Sequence, residues 1–462
     1  MFLSLVMFSN ANTNFILPPD SSVRLIDRAA SIILIDEGKQ LLNQGKTRDA
    51  LTRFRQAQIK DQYSYRAAFW VGRAHYNLSN FGYALKYALK AQELSSELNG
   101  EICFLLGESY HRKNSLDSAA MYYEKASTRL SRSKMRVYRV QKLMDDLAYA
   151  DSLSKIEKKY NKNLTSGEVN SGFDDYSPIL VPEMNKLYFV SRRPDTEGGE
   201  LNPEDQRYFE DIYRAKWNDE TQEWDSITND LGRINSKGFD AVGHIADEGR
   251  RMYMTVNTSI IDIKNNTHGS DICISEMNRL NNWSTPKPIK NKTINTSYFD
   301  GAPTLTEDEN TMYFVSDRRG EHHMSDIYVV HKDGRKWGTA VPLPDNVNTP
   351  FNETTPFITP DGKYLFYSSE GFRGMGGYDV YVTENLGDGK WSDPVNIGHE
   401  FNTVNNDTHF KYYEGVDKVF LASYLLQGKK ASINIFDLDV KGWEIPIPKR
   451  EEQKEVSIES TN

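Results

Sequence analysis

The stretch Tyr298–Asn348, which begins YFDGAPTLTEDENTMYFVSDRRG, continues through SDIYVVHKDGRKW and ends at PLPDNVN, decides how this chain folds. It holds four short runs rich in β-branched and aromatic residues: Ala302–Leu305, Thr311–Ser316, Asp326–His331 and Trp337–Leu343. Each run is bounded by Asp, Asn, Gly or Pro, the residues that turn a chain, so each reads as a strand. Copies lie on both sides. The third run recurs as DIYRAKW at Asp211, DICISEM at Asp271, DIYVVHK at Asp326, DVYVTEN at Asp379 and a weaker NIFDLDV at Asn434, 53 to 60 residues apart. Trp224, Trp283, Trp337, Trp391 and Trp443 keep the same beat, and an Asn followed by Ser or Thr introduces each copy at Asn170, Asn235, Asn295, Asn348 and Asn402.

Three markers in step over five copies of a four-stranded unit predict a β-propeller. One such unit buries too little surface alone, so neighbouring sheets must pack face to face in a ring. Tyr188-Phe189, Tyr253-Met254, Tyr313-Phe314, Phe366-Tyr367 and Val419-Phe420 are then second strands whose side chains fill the gaps between blades. The tryptophans read as outer-strand packing, and the Asp of each Asp-Ile-Tyr as a turn cap. Five blades are expected. Lys158–Val169 leaves a sixth open, since it can supply a stray outer strand but not four strands.

Upstream the periodicity becomes helical. Gly38, Ala50, Phe54 and Ala57 are repeated 34 residues later by Gly72, Ala84, Ala88 and Ala91, and after 35 more by Gly107, Ala119, Tyr123 and Ala126. Small residues that let two antiparallel helices approach, with a large one filling the layer, resemble the tetratricopeptide pattern. The proline that usually closes that repeat is missing from all three copies. The resemblance implies a concave partner groove lined by the first helices, with Arg66, Phe69, Arg73, Tyr76 and Asn77 in the second repeat and Glu101, Glu108, His111 and Arg112 in the third. A solvated charged face, or scaffolding against the propeller, is the competing account of these residues.

The fold class is therefore an α + β multidomain chain: an α-solenoid followed by a propeller. Residues 1–11 fit a signal peptide, with an apolar run Phe2–Phe8 before Ser9-Asn10-Ala11, although the basic start is absent. Residues 12–22 read as a flexible lead-in, 23–160 as the helical domain with a capping helix, and 161–168 as a linker. The propeller spans 169–448, and 449–462 is a charged tail expected to be disordered. A net charge of −9 argues against a general nucleic-acid or anionic-membrane binder, and no run of 18 apolar residues exists. Cys103 and Cys273, the only cysteines, fall in different domains among apolar neighbours and read as buried thiols.

In a propeller the loop between second and third strands shares a face with the blade-to-blade connection. Insertions collect there: RRPDTEGGELNPEDQRYFE from Arg192, NTSIIDIKNNTHGS from Asn257 and EGFRGMGGY from Glu370. This predicts a recognition face built from Arg192, Arg193, Tyr208, Phe209, Arg318, Arg319, Phe372 and Arg373, residue types enriched at interface hot spots. The alternative is that these arginines pair with nearby carboxylates. Asp333-Gly334-Arg335-Lys336-Trp337 and Asp388-Gly389-Lys390-Trp391 resemble fragments of the sialidase Asp-box turn without its full spacing. No metal-ligand spacing, Gly-x-Ser-x-Gly or phosphate-binding loop occurs, so the reading is a chain that is not an enzyme and takes no metal or cofactor.

NSGFDDYSPILVPEMNKLYFVSRR from Asn170 and NETTPFITPDGKYLFYSSEGFRGMGGYDVYV from Asn352 resemble the WD40-like propeller repeats related to TolB. With helical repeats in front, the layout is similar to periplasmic proteins of Bacteroidetes, among them PorE-type components of type IX secretion and gliding machinery, which continue into an OmpA-like domain. That peptidoglycan-binding domain has no counterpart here, so peptidoglycan anchoring is not carried over. The resemblance implies an adaptor in the periplasm, associated with the outer membrane, whose partners are outer-membrane or secretion proteins. A glycan-binding or glycan-processing propeller is the alternative function, and a cytoplasmic scaffold the alternative location.

Overall fold

The computed structural model describes residues 23–202, 205–257, 269–319 and 324–448. The expected signal peptide, lead-in and charged tail lie outside the described residues, as do parts of the insertions at 203–204, 258–268 and 320–323.

Three helix pairs come first: α1 Leu25–Asn43 with α2 Thr47–Lys60, α3 Tyr65–Asn77 with α4 Phe81–Leu94, and α5 Gly100–Arg112 with α6 Leu116–Ser127. Ser64 and Asn99 cap the starts of α3 and α5, their side chains accepting from the Ala67 and Ile102 amides. The repeat positions explain the pairing. A Cβ on Gly38 would sit 2.3 Å from the Phe54 ring, and one on Gly107 2.5 Å from that of Tyr123. The glycine of one helix thus receives the large residue of the next, while Ala50, Ala57, Ala84, Ala91, Ala119 and Ala126 are fully buried around it.

Two further helices complete the solenoid, α7 Arg132–Val137 and α8 Val140–Ser154. The left-handed Arg139 (φ 54°) breaks the chain between them. Tyr138 then stacks on Phe104, ring centroids 4.7 Å apart, and its hydroxyl donates to Glu101.

Five antiparallel blades follow, running outward from the axis. The first is β2 Asp175–Val181, β3 Lys186–Ser191, β4 Asp211–Asn218 and β5 Glu223–Thr228; the second is β6 Phe239–Ala246, β7 Arg251–Asn257, β8 Asp271–Glu276 and β9 Lys287–Pro288. In the third, β10 Asp300–Leu305, β11 Thr311–Ser316 and β12 Asp326–Asp333 carry a split outer strand, β13 Lys336–Trp337 and β14 Val341–Pro342. The fourth repeats this with β15 Glu353–Ile358, β16 Tyr364–Ser369, β17 Asp379–Gly387, β18 Lys390–Trp391 and β19 Val395–Asn396.

The fifth blade takes β20 Asp407–Tyr413, β21 Lys418–Gln427 and β22 Lys430–Asp439, and borrows its outer strand from upstream: β1, Asn163–Leu164, pairs with Asp437 and Phe436. Two expectations are corrected here. Residues 161–168 are part of the ring and not a free linker. Trp443 opens no strand; it packs against Phe366, Phe401, Phe410 and Tyr412, closing the bottom of the last blade gap.

The blades are joined by one repeated device. The Asn that introduces each blade turns back onto the third strand of the blade before, where its Oδ1 accepts an amide and its Nδ2 donates to the carbonyl of the same residue. Asn235 clasps Ile212, Asn295 Ile272, Asn348 Ile327 and Asn402 Val380, all at 2.8–3.0 Å. Asn170 does the same to Ile435, 265 residues away, and so closes the ring.

The following Ser or Thr and an acid four residues later form a compact turn. Asp175, Asp240, Asp300, Glu353 and Asp407 each accept from both the amide and the hydroxyl of Ser171, Ser236, Thr296, Thr349 and Thr403 respectively. A second-strand serine adds a third bond at Ser191, Ser369 and Ser423. In blade two Val256 stands opposite Asp240 instead. Its carboxyl is pushed up to about 7 by burial.

Asn402 is 1% exposed, and its removal would leave the Val380 amide buried without a partner, while the Val380 carbonyl would keep only the Ile397 amide. Asn402→Ala is expected to lower stability by about 2 kcal/mol or more. The exposed Asn77→Ala is expected to change it by less than about 0.5 kcal/mol. Chemical denaturation followed by tryptophan fluorescence checks both.

Candidate functional site

Two places bring chemistry-bearing residues together: the seam where the solenoid sits on the propeller, and the channel along the propeller axis.

The seam is built on the insertion face. The Gly-rich loop 370–378 lies against α5 and α8, and its glycines are required by the closeness of the approach. A Cβ on Gly377 would stand 2.6 Å from the Arg112 guanidinium, and one on Gly374 would collide with Asp379. His111 Nε2 donates to the Met375 carbonyl at 2.9 Å, and Arg112 donates to the Val404 carbonyl and to Asn406 Oδ1. Asp146, fully buried, takes Lys142 on one oxygen and the Gly374 amide on the other. Arg139 lies 3.4 Å over the Phe351 ring and donates to the Glu370 carbonyl. Ala150, Met375 and Val404 form an apolar centre. Further along, Ser79 donates to the Tyr424 hydroxyl, Phe81 meets its ring, and Gly82 admits Lys429.

This arrangement relocates the residues expected to line an open groove. Arg73 pairs with Glu108 at 2.7 Å between the Tyr76 and Phe104 rings, and Tyr76 accepts from Arg112. Phe69 is buried against Trp70, and Glu101 is held by Lys134 and Tyr138. His111 and Arg112 face the chain's own propeller. Only Arg66 and Asn77 of that set stay exposed.

The propeller set is also mostly committed. Arg192 forks onto Asp205 and donates to the Tyr208 carbonyl. Arg193 and Arg318 occupy equivalent positions in their blades, each bonded to the turn acid, Asp175 or Asp300, and laid over two rings. Tyr208 meets Phe173, and Phe209 packs on Phe239. Phe372 packs on Tyr381, and Arg373 lies over Tyr149 of α8 in the seam. Arg319 is half exposed beside Asp326. For Arg192, Arg193 and Arg318, carboxylate pairing is the account that the geometry supports.

Sequence reasoning missed the axial channel. It encloses about 560 Å³ and is lined by all five inner strands, with Tyr176, Phe239, Phe299, Tyr378 and Tyr424 toward the helical side. The inner strands carry bulges, and Ser177, Ala302, Thr355 and His409 adopt positive φ there. The bulges stitch neighbours together: Ser177 Oγ donates to the Val242 carbonyl, the Ala302 amide to Thr255, and the His409 amide to Thr355. Glu210, the one carboxylate among the described lining residues, is held by Arg192 and Tyr176, with its pKa raised by burial. Lys411 lies deep, its Nζ 3.4 Å from the Gly243 carbonyl, and burial lowers it to about 7.

The fold is a tetratricopeptide solenoid joined to a five-bladed propeller. The tetratricopeptide repeat model matches residues 35–99. No curated protein matches the chain in sequence. Among solved structures, the type III secretion translocator chaperone SycD of Yersinia enterocolitica matches the helical part at 16% identity, covering 28% of this chain and 98% of that one, with a TM-score of 0.26. The endo-arabinase of Bacteroides thetaiotaomicron is 15% identical over 64% of this chain and 99% of its own, TM-score 0.36. The α-L-arabinofuranosidase of Podospora anserina, in complex with cellotriose, is 11% identical over 60% and 95%, TM-score 0.38. At these identities the likeness is one of fold. The expectation that the chain is not an enzyme does not stand, since several of the proteins matched over the propeller are glycoside hydrolases, but at these identities and TM-scores the likeness assigns no activity to this chain.

Burial and the neighbouring Arg112 lower His111 to about 4, so it is neutral where it holds Met375. A folded pKa below the unfolded 6.5 means that this contribution is whole above pH 6.5 and is lost as pH falls toward 4. In His111→Gln, which can still donate to Met375, the loss of stability between those pH values is expected to shrink by up to about 3 kcal/mol. Denaturation curves across that range measure it.

Proposed function

We propose that this chain is an interaction adaptor of the cell envelope, with solenoid and propeller acting as one platform that holds outer-membrane or secretion proteins. The observation that carries the reading is the seam. Helical repeats of this kind are protein-interaction modules, and here the helical domain is anchored to the propeller by hydrogen bonds that His111 and Arg112 donate and one that Asp146 accepts. Two interaction domains held in fixed geometry suit an adaptor that sets the spacing of its partners. The repeat layout resembling type IX secretion and gliding components supports placement in the periplasm.

Crosslinking and affinity purification of the tagged chain from its own cells tests this. Envelope proteins are expected in the purified material, with reduced recovery for Arg66→Glu and Asn77→Asp on the exposed groove edge. Recovery of no protein partner overturns the adaptor reading.

The channel favours a second reading, a glycan-binding or glycan-processing propeller. Its aromatic rim suits the apolar faces of sugar rings, and a carboxyl with a raised pKa, Glu210, is suited to proton transfer. Saturable retention of the full chain on immobilised glycans is the outcome expected from this reading.

A further inference from the structure

We infer that the deep end of the axial channel is a binding site for a small hydroxylated organic anion, with Lys411 as the residue that takes its carboxylate or phosphate. The inference rests on the channel being a ligand site, as in the second reading above, and adds the charge of the ligand.

Lys411 is 5% exposed, and it projects from β20 into a cavity of about 560 Å³. Buried ammonium groups in folded proteins are almost always paired, because desolvating a lone charge is costly. Lys162, whose side chain is 9% exposed, obeys that rule and meets Asp407 at 2.8 Å. Lys411 has no carboxylate partner among the described residues. Its hydrogen bond is a long one to a neutral carbonyl, Gly243 O at 3.4 Å, and the Phe357 ring lies 5.2 Å from Nζ.

The titratable groups facing it are His244 from β6 and His409 from its own strand, both lowered to about 3 by burial and by Lys411 itself, hence neutral. Glu210, the channel carboxylate, is already engaged with Arg192 and Tyr176. Lys411 is thus left as a positive group that no carboxylate among the described lining residues of the cavity answers. Ser177, Thr354, Thr355 and Thr408 line the same cavity, and their hydroxyl oxygens can accept from a ligand that carries hydroxyls of its own.

The bulge accounts for this placement. His409 takes a left-handed conformation (φ 54°), and the pairing of β20 with β21 slips between Thr408 and Lys411. Thr408, His409 and Lys411 all line the channel as a result, where strict alternation would separate neighbours onto opposite faces.

Calorimetric titration of the full chain with D-glucuronate, glucose and inorganic phosphate tests the site. Glucuronate is expected to bind saturably and glucose at least about tenfold more weakly, with glucuronate binding tighter near pH 6 than near pH 8.5 as Lys411 loses its proton. Phosphate binding in place of glucuronate would support the same anion site with the other charged group. Lys411→Met is expected to weaken the bound anion about tenfold or more, and Lys411→Arg to retain it. No saturable binding of either anion overturns the inference. So does glucose binding as well as glucuronate, which leaves the glycan-binding reading standing, and so does glucuronate affinity that is unchanged with pH in the wild-type chain, a result that does not depend on how any variant folds.

Discussion

The contact on which this structure depends is an asparagine side chain laid along one residue of a neighbouring strand, giving one hydrogen bond and taking another. Repeated five times, it fixes the step between neighbouring blades, because it ties the segment that enters each blade to the third strand of the blade beside it. The Ser/Thr–acid turn that follows is closed on itself around a buried acid, so the start of every inner strand is held in the same way. Hydrophobic packing between sheets supplies bulk stabilisation. It is non-directional and would tolerate slippage; the clasp has direction and does not.

A face held so regularly is a good seat for another domain. The loops that rise from it are the least repetitive parts of the propeller, and one of them, rich in glycine, comes close enough to the solenoid for main-chain atoms to meet side chains of α5 and α8. His111 and Arg112 of the helical groove are spent on that meeting. Arg112 illustrates the economy of the arrangement: it satisfies Tyr76 within the solenoid and the Val404 carbonyl and Asn406 across the seam. Tyr378, Asn406 and Tyr424 belong both to the channel rim and to the seam or its edge, so the solenoid stands beside the entrance to the axis.

Much of the architecture was legible in the sequence because repetition makes local rules visible. The glycine-to-aromatic spacing of the helices corresponds to ring-on-glycine contacts, and the Asn-Ser/Thr and Asp-Ile-Tyr markers, read as independent, are the two ends of one clasp. What was not legible depends on contacts without a periodic signature. A stray outer strand within Lys158–Val169 is legible, but not that Asn163–Leu164 completes the fifth blade, because its partner Phe436 lies far along the chain. Trp443 keeps the beat of the outer-strand tryptophans yet packs inside a gap, because that place in the sheet is already filled by β1. The arginines of the insertions look like a recognition surface until their acids are seen beneath them. Lys411 reads as one more polar residue of an edge-like DTHFKYY run, and only the bulge at His409 reveals which way it faces.

The borrowed outer strand also sets an order of events. During synthesis the helical repeats, whose contacts are local, can form as soon as they emerge. The propeller cannot close then, since β1 waits for β22 and Asn170 waits for Ile435, near the end of the ring. The seam needs loops of the fourth and fifth blades, which also arrive late. The solenoid therefore exists with its groove uncovered until the loops of the fourth and fifth blades emerge to meet it.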